Sequence, residues 1–556
     1  MQRRQFLRLA AGTLVAASAA ATSAAASARP NIIVMMADDM GWSDLGCYGS
    51  EIATPTLDRL ASNGLRFTQF YNTARCCPTR ASLMSGLYPH QAGIGHMMND
   101  YGLPGYRGNL NKSCVTIAQV MKGAGYQTAM CGKWHVTPKS IAGQPGGKDN
   151  WPTQRGFDNF FGTIDGAGSF YNPGTLTRDN AYIEPEEKDF YYTDALGKNA
   201  AAYIDKFSAK PDPFFLYLAF TAPHWPLHCP EDTVAKYKDT YKDGWDQLRL
   251  KRHAKQKKLG LVKASWELTP RDKSVVAWAD APDKEWEARR MAVYAGMIDR
   301  LDHAVGQVVR KLEEKKMLEN TLILFLADNG GCAEGMGTAP DNADPNASTK
   351  PKTTRDGRTV RYGNTPDIMP GPEDTYTSYA TSWANASNTP FRMYKHWVHE
   401  GGISSPLIAH WPASIKRRNA MSSEPGHLID IMATCVDLGK AKYPTEWKGE
   451  KITPFEGKSL GPVFLTGKRT PHEAIYWEHE GNQAIRMGQW KLVKAHGGDW
   501  ELYDIGADRT ELNNLASAQP ERVKAMAAKW DSWAKRAMVA PWQSWAQPKK
   551  AGKKKA

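Results

Sequence analysis

The chain has 556 residues, 41% of them hydrophobic and 23% charged, which leaves room for two domains and a large core and sets it among ordinary soluble globular proteins. No apolar run is long enough for a membrane span in the mature chain. The net charge of +13 falls to +5 once the eight positive charges of Arg3, Arg4, Arg8, Lys549, Lys550, Lys553, Lys554 and Lys555 are set aside, so the body is mildly basic and carries no nucleic-acid footprint.

The first element is a targeting segment. Arg3-Arg4-Gln5-Phe6-Leu7 is a twin-arginine pattern, Leu9–Ala21 is a mildly apolar run, and Ala26-Ser27-Ala28 supplies an A-x-A cleavage site. Residues 1–28 are therefore expected to be a twin-arginine signal peptide, with the twin-arginine translocase as a partner and a bacterial periplasmic or secreted destination. That route carries proteins already folded, which suits a cofactor or modification installed in the cytoplasm.

Asn31–Ala37 is a continuous apolar run, as in a buried parallel strand, and it ends in Asp38-Asp39-Met40-Gly41. Adjacent acids there are costly unless a cation is near, although for the pair alone solvated acids in a strand-ending turn is the simpler reading. Thr56–Asn63, closed by Gly64, predicts a helix, and Leu65–Tyr71 a strand. Pro78 then sets the first turn of a helix that runs through Ser82 and Leu83 to Gly86. The free N–H groups of that helix face whatever Cys76 carries, and Arg80, one turn in, can return to the same spot as a bidentate oxyanion donor.

Val115–Lys122 predicts a helix and Gln127–Cys131 a strand, which ends in Gly132-Lys133-Trp134-His135. Residues 140–185, rich in Gly, Pro, Asn and Asp, read as surface loops that shape a site. Asp194–Phe207 reads as a helix. Phe214–Phe220 reads as a strand, after which Pro223 and Pro226 stiffen the loop of His224. Taken singly, Lys133, His135 and His224 are ordinary loop residues. Residues 230–288 are charged and helix-prone and read as a solvated insertion.

Apolar residues at Met291, Ala295, Ile298, Leu301, Val305, Val308 and Leu312 predict an amphipathic helix of about seven turns, followed by a buried strand at Thr321–Ala327 that ends in Asp328-Asn329-Gly330-Gly331. Residues 331–390 are too long for an idle connection and read as substrate-site loops. The chain returns through Asn388–Lys395 and His399–Gly402 to a strand at Pro406–Trp411. After about residue 465 come short strands at Ala474–Glu478, Ala484–Met487, Lys491–Lys494 and Trp500–Tyr503, then a helix from about Pro520 to Arg536.

The expected fold class is thus α/β, a large mixed sheet between helices, with a small C-terminal antiparallel sheet and a helix. The domains are expected at 29–465 and 466–546, with a basic tail at 547–556 that is either disordered or in contact with acidic polysaccharide or lipid. The special residues fall after strands ending at 37, 131, 220 and 327, and open α/β sheets bind ligands outside the carboxyl ends of their strands. Asp38, Asp39, Cys76, Arg80, Lys133, His135, His224, Asp328, Asn329 and Lys395 can therefore converge.

The stretch Cys76-Cys77-Pro78-Thr79-Arg80 resembles the C-x-P-S/T-R signature of the type I, formylglycine-dependent sulfatases. The blocks N-I-I-x-x-x-A-D-D-M-G-x-x-D, G-K-W-H, A-P-H-W-P-L, D-N-G and P-F-R-x-Y-K-x-x-x-x-E-G-G stand around it in that family's order. The resemblance covers nearly the whole mature chain and is most pronounced with bacterial arylsulfatases. One departure is Val136-Thr137 after G-K-W-H, where Leu-Gly is commoner.

The resemblance implies an alkaline-phosphatase-like fold and a catalytic domain at 29–465. It implies that Cys76 is oxidised to formylglycine (3-oxoalanine) by a formylglycine-generating enzyme, with Cys77 in the variable position. It also implies that Asp38, Asp39, Asp328 and Asn329 hold one divalent cation, for which four oxygen ligands suit Ca²⁺ better than Mg²⁺.

In the implied reaction a hydroxyl of the hydrated formylglycine attacks sulfur in line, and Asp328 takes its proton. Arg80, Lys133 and Lys395 surround the sulfate, His224 protonates the leaving oxygen, and His135 acts as the base that re-forms the aldehyde. The substrate is then an aryl or carbohydrate sulfate, on a small molecule or a glycan. Arg80, Lys133, His224 and Lys395 make the contacts.

Two alternatives remain at this point: a formylglycine-dependent phosphonate or phosphate ester hydrolase, and a non-catalytic binder of sulfated glycans with Cys76 unmodified. With residue 76 an aldehyde, seven of the eight cysteines remain, an odd number that argues against a disulfide framework while leaving room for one or two bridges. His96, Tyr171, His228 and Trp383 read equally as leaving-group contacts or as packing.

Overall fold

The computed structural model describes residues 29–138, 147–337 and 351–542. The expected signal peptide and basic tail lie outside them. The apolar run Asn31–Ala37 forms strand β1, buried along its whole length at the middle of an eleven-stranded sheet. The others are β2 (Leu65–Tyr71), β3 (Gln127–Lys133), β4 (Asn159–Thr163), β5 (Leu176–Arg178), β6 (Ala181–Tyr182), β7 (Phe214–Ala219), β8 (Thr321–Ala327), β9 (Ser404–His410), β10 (Ala420–Ser422) and β11 (Gly426–His427). Their order is β10-β2-β9-β8-β1-β7-β3-β4-β5-β6, with β11 also pairing to β2. The central strands β8, β1, β7, β3 and β4 are parallel, and β9 runs antiparallel to β8 and β2.

Strand alternation sends β1 side chains to two cores. Ile33 and Met35 pack on one face, with helices α1 (Pro55–Ser62), α4 (Tyr192–Phe207) and α6 (Lys284–Glu314). Ile32, Val34 and Met36 pack on the other, with α2 (Cys76–Ser85), α3 (Ile117–Gly123) and α7 (Ile429–Gly439). The result is the mixed sheet between helices expected from the strand pattern.

Two expectations need correction. The stretch 140–185 is not all surface loop, since β4 extends the parallel sheet, with Phe160 and Phe161 entering the two opposite cores. Nor is 230–288 a solvated insertion. Its helix α5 (Gly244–Leu259) buries Trp245, Arg249, Arg252 and Gln256. Arg252 donates to Asp44 Oδ1 at 2.6 Å, to Ser43 Oγ at 3.0 Å and to both Glu51 oxygens at 2.8 and 2.9 Å, so its charge is taken inside by pairing. Composition reports the charge of such a helix but not the partners that let it be buried.

Past residue 474 the chain forms a separate four-stranded antiparallel sheet of β12 (Ile475–His479), β13 (Asn482–Met487), β14 (Trp490–Lys494) and β15 (Glu501–Asp504). Helix α8 (Pro520–Arg536) covers one face, setting Met526, Trp530 and Trp533 against Ile485, Leu492 and Leu502. A buried ionic knot ties this sheet to the large one. Glu400, of the E-G-G block, accepts from Lys491 Nζ at 2.9 Å, Arg509 Nε at 2.8 Å and the Tyr71 hydroxyl at 3.2 Å.

All eight cysteines are free thiols. Among the described residues no helix is long and apolar enough to cross a membrane.

Candidate active site

Parallel register is what gathers the site. Ala37 pairs with Ala327, and Ala219 pairs with both Met36 and Gly132. Asp38, Asp328, Lys133 and the loop of His224 therefore leave the sheet at one level, at the carboxyl ends of β1, β8, β3 and β7. Asp39 has φ +63° and His135 φ +54°, left-handed values that a side chain adopts at a cost and that cluster at functional sites. The left-handed turn at Asp39 breaks strand alternation, and carboxylate oxygens of Asp38 and Asp39 lie within 4.8 Å of each other and of a His224 ring nitrogen. Gly132 is required where it stands: at φ +108° a Cβ would lie 1.8 Å from the Ala219 carbonyl oxygen.

Cys76 opens α2 and every residue of that helix is buried. Gly86 closes it in the left-handed conformation, its N–H donating to the Ser82 carbonyl. Thr79 Oγ1 donates to the Asp328 carbonyl at 2.6 Å, which locks the start of α2 to the end of β8. Arg80, fully buried, donates through Nη2 to Asp328 Oδ2 at 2.9 Å and lies 3.4 Å from Asp38 Oδ2. Its Nη1 donates to the Lys133 carbonyl at 3.0 Å.

Three buried cations thus meet three buried carboxylates. Arg80 faces Asp328, Lys133 Nζ donates to Asp38 Oδ2 at 2.5 Å, and Lys395 Nζ donates to Asp39 Oδ2 at 2.9 Å. Asn329 Nδ2 donates to Asp39 Oδ1 at 2.7 Å. His224 Nε2 stands 3.4 Å from Asp39 Oδ2, while its Nδ1 pairs with the Trp225 carbonyl at 2.6 Å.

The electrostatics follow from burial. Burial pushes the Asp38 carboxyl up, but Lys133, His224 and Arg80 outweigh it and hold it at about 2. Asp328 goes the other way. Burial, reinforced by Asp38, raises it well above the carboxylate range despite Arg80. The Cys76 thiol is held well below its usual value by a hydrogen bond from Cys77, which with Lys133 and His135 outweighs burial. Burial lowers both His135 and His224, with Lys133 adding to the effect at His135 and Asp39 opposing it at His224.

The mouth is a small cavity of about 50 Å³. Cys76, His135, His224 and Lys395 line it together with Arg75, Met97, Asp165, Trp225, Glu334 and Tyr376. Cys77 does not reach it: its Sγ is fully buried, 3.3 Å from His135 Nε2 and 3.7 Å from Met97 Sδ. A larger cavity of about 920 Å³, lined by Glu186, Asp194, Lys198 and Arg300 among others, shares none of these residues.

All ten residues singled out in the sequence therefore stand around one centre. The four left open do not line its mouth. Trp383 is fully buried among Tyr241, Trp245 and Trp278. His228 bonds to the Thr375 carbonyl, Tyr171 donates to the Gly371 carbonyl, and His96 pairs with Glu480.

Glu334 is the residue that sequence reasoning missed. It accepts from Trp225 Nε1 at 2.9 Å and from Arg75 Nη1 at 3.0 Å, and lies 3.4 Å from Lys395 Nζ. Its only signal was its place just after the D-N-G block.

The family resemblance implies a metal ion, and the chemistry of the donor set suits one. Asp38 Oδ1 and Asn329 Oδ1 are buried without any hydrogen-bond partner, beside two more carboxylates. Orphaned hard oxygens in a dry site are what a divalent cation such as Ca²⁺ satisfies, so the residues fit the group.

The fold is alkaline-phosphatase-like, and a centre of buried cations beside a nucleophile at a helix start places the chain among the ester hydrolases of that fold. The family model for sulfatases matches residues 30–441, and the model for the C-terminal part of N-sulphoglucosamine sulphohydrolase matches 391–532. An uncharacterized sulfatase of Schizosaccharomyces pombe is 34% identical over 90% of this chain and 93% of its own. The arylsulfatase of Klebsiella aerogenes is 31% identical over 78% of this chain and 92% of its own. The crystal structure of Ps i-CgsB in complex with k-i-k-neocarrahexaose shares the fold, with a TM-score of 0.64 and 24% identity over 93% of this chain and 95% of that one. The chain belongs to the sulfatase family and is a sulfuric ester hydrolase. That family generally uses a formylglycine and a divalent metal.

Proposed function

We propose that the chain hydrolyses aryl or carbohydrate sulfate esters, with residue 76 oxidised to formylglycine, and with Ca²⁺ held by Asp38, Asp39, Asp328 and Asn329. It works in the periplasm or outside the cell after twin-arginine export, and a formylglycine-generating enzyme acts on it first.

One observation carries this reading: Arg80, Lys133 and Lys395 are each paired to a carboxylate of the proposed ion site, beside Cys76 at the mouth. With a divalent ion on the carboxylates, the three cations are free to face an anion. When present, the ion supplies Lewis-acid polarisation of a sulfate oxygen, and the formylglycine supplies a hydrated aldehyde as the nucleophile.

The chain's own groups do the rest. Arg80 and Lys133, buried behind the mouth, and Lys395 at its wall bind the sulfate oxygens and take up the charge that spreads as the ester bond lengthens. The hydrogen bond from His224 Nδ1 to the Trp225 carbonyl fixes the ring with Nε2 toward Asp39, and when the ring carries its second proton as the imidazolium, Nε2 gives that proton to the leaving oxygen. His135 lines the same mouth and is placed to accept a proton from residue 76 as sulfate departs. The cavity, at about 50 Å³, is on the scale of the sulfate group alone, so the alcohol or phenol part of the ester lies outside it.

The test is a panel of esters of one phenol. The sulfate ester is expected to show the highest kcat/KM, above the phosphate and phosphonate esters. A higher value for the phosphonate would reassign the substrate class, and binding of the sulfate ester without turnover by aldehyde-bearing protein would overturn the catalytic reading.

A further inference from the structure

We propose that His96, His479 and Glu480 form a second metal site, for a divalent transition cation of the zinc class, at the seam between the C-terminal sheet and the catalytic loops. β12 ends at His479, and the turn to β13 passes through Glu480 at φ +52° and Gly481 at φ +79°. A left-handed glutamate is unusual, and this one projects into a ring of imidazoles. Glu480 Oε1 is 3.0 Å from His96 Nε2 and 3.5 Å from His479 Nε2. Its other oxygen pairs with His396 Nδ1 at 2.8 Å. The rings of His96 and His479 stack, with centroids 5.6 Å apart.

One ligand atom from each of the three residues lies within 4.8 Å of the others. A tetrahedral ion with bonds of about 2.0–2.1 Å needs its ligands roughly 3.3 Å apart; the Glu480 oxygen already stands 3.0 and 3.5 Å from the two imidazole nitrogens, so closing the site takes only a movement of the two rings toward each other.

The second observation is His479 itself. It is fully buried, and neither ring nitrogen has a hydrogen-bond partner, while Nε2 is aimed at the cluster. Two imidazoles and one carboxylate suit zinc-class ions, whereas the all-oxygen catalytic cluster suits Ca²⁺. The side chains of His96 and Glu480 are 13% and 24% exposed, which leaves a path for the ion and for a water as fourth ligand.

His396 then holds the second oxygen of the liganding carboxylate, the usual supporting contact of such a site. Its other nitrogen is 3.0 Å from Glu334, and Glu334 is 3.4 Å from Lys395. The ion would thus be a positioning device, fixing the hairpin turn against the loop that carries Lys395.

Co²⁺ and Zn²⁺ are the probes, used on the mature chain after dialysis against a chelator. One equivalent of Co²⁺ is expected to give the visible absorption of a four-coordinate ion, displaced by Zn²⁺ and retained in Asp38→Asn. His479→Gln and the partly exposed His96→Asn are each expected to weaken Co²⁺ binding at least tenfold. Circular dichroism identifies the variants that fold, and His96→Asn carries the test if the buried substitution does not. Absence of the band in the wild-type protein overturns the proposal. So does a band that persists in folded His96→Asn, or one that is lost in Asp38→Asn.

Discussion

Lys133 Nζ donates to Asp38 Oδ2 at 2.5 Å, across the width of β7, with both side chains wholly buried. The pair joins an expected sulfate ligand to an expected metal ligand. Lys133→Ala should therefore lower kcat/KM on a nitrophenyl sulfate by about 10²–10³, or roughly 3–4 kcal/mol, the scale of losing one buried oxyanion donor. Steady-state kinetics check this, and a loss under threefold would contradict the assignment.

The orphaned oxygens of Asp38 and Asn329 set the second expectation. Dialysis against a calcium chelator should abolish turnover, because Arg80, Lys133 and Lys395 then stay paired to the carboxylates instead of facing an anion, and should lower the melting temperature, because the folded state loses a bound ligand. Ca²⁺ should restore both and Mg²⁺ should restore less, since Mg²⁺ tolerates flexible all-protein oxygen sites poorly. Activity and calorimetry measured on the same refilled samples decide it. Equal rescue by Mg²⁺ would remove the case for Ca²⁺.

Glu400 should control how the C-terminal sheet is held. Burial raises its pKa, but Lys491 and Arg509 outweigh burial and bring it down to about 2. An acid depressed in the folded state stabilises the fold above its unfolded pKa, near 4.3, and loses that stabilisation as pH falls toward 2. Glu400→Gln should thus cost on the order of 3 kcal/mol at pH 7, and the gap to wild type should narrow below pH 4.3. Urea titrations at pH 7 and pH 3.5 measure the two gaps, and equal gaps would contradict the account.

Arg252 makes α5 part of the core. Its removal leaves Asp44 buried, a carboxyl that burial already raises and that Arg252 pulls back down. Arg252→Ala should destabilise the fold by about 3–5 kcal/mol, the range for breaking a buried ion pair. Thermal unfolding reads the loss. A change below 1 kcal/mol would return the segment to a dispensable insertion.

Much of the site was legible because its residues sit at strand ends, where apolar runs stop abruptly at Asp38, Lys133 and Asp328. Parallel pairing then brings those stops to one level with no further information. Arg252 was not legible, because a buried arginine and a solvated one look the same in a charged helix until Asp44 and Glu51 are seen around it. Glu334 was hidden for a related reason: its partners Arg75, Trp225 and Lys395 lie far off in sequence. The strand β4 was masked by its neighbours, whose Gly, Pro and Asn dominate the composition around Phe160 and Phe161.

The most direct measurement is mass spectrometry of the peptide carrying Cys76, from protein made in its own host and active on the sulfate ester. The account predicts an aldehyde at residue 76 and an intact thiol at Cys77, which is buried away from the mouth. An unmodified thiol at residue 76 in protein that turns over the ester would contradict it.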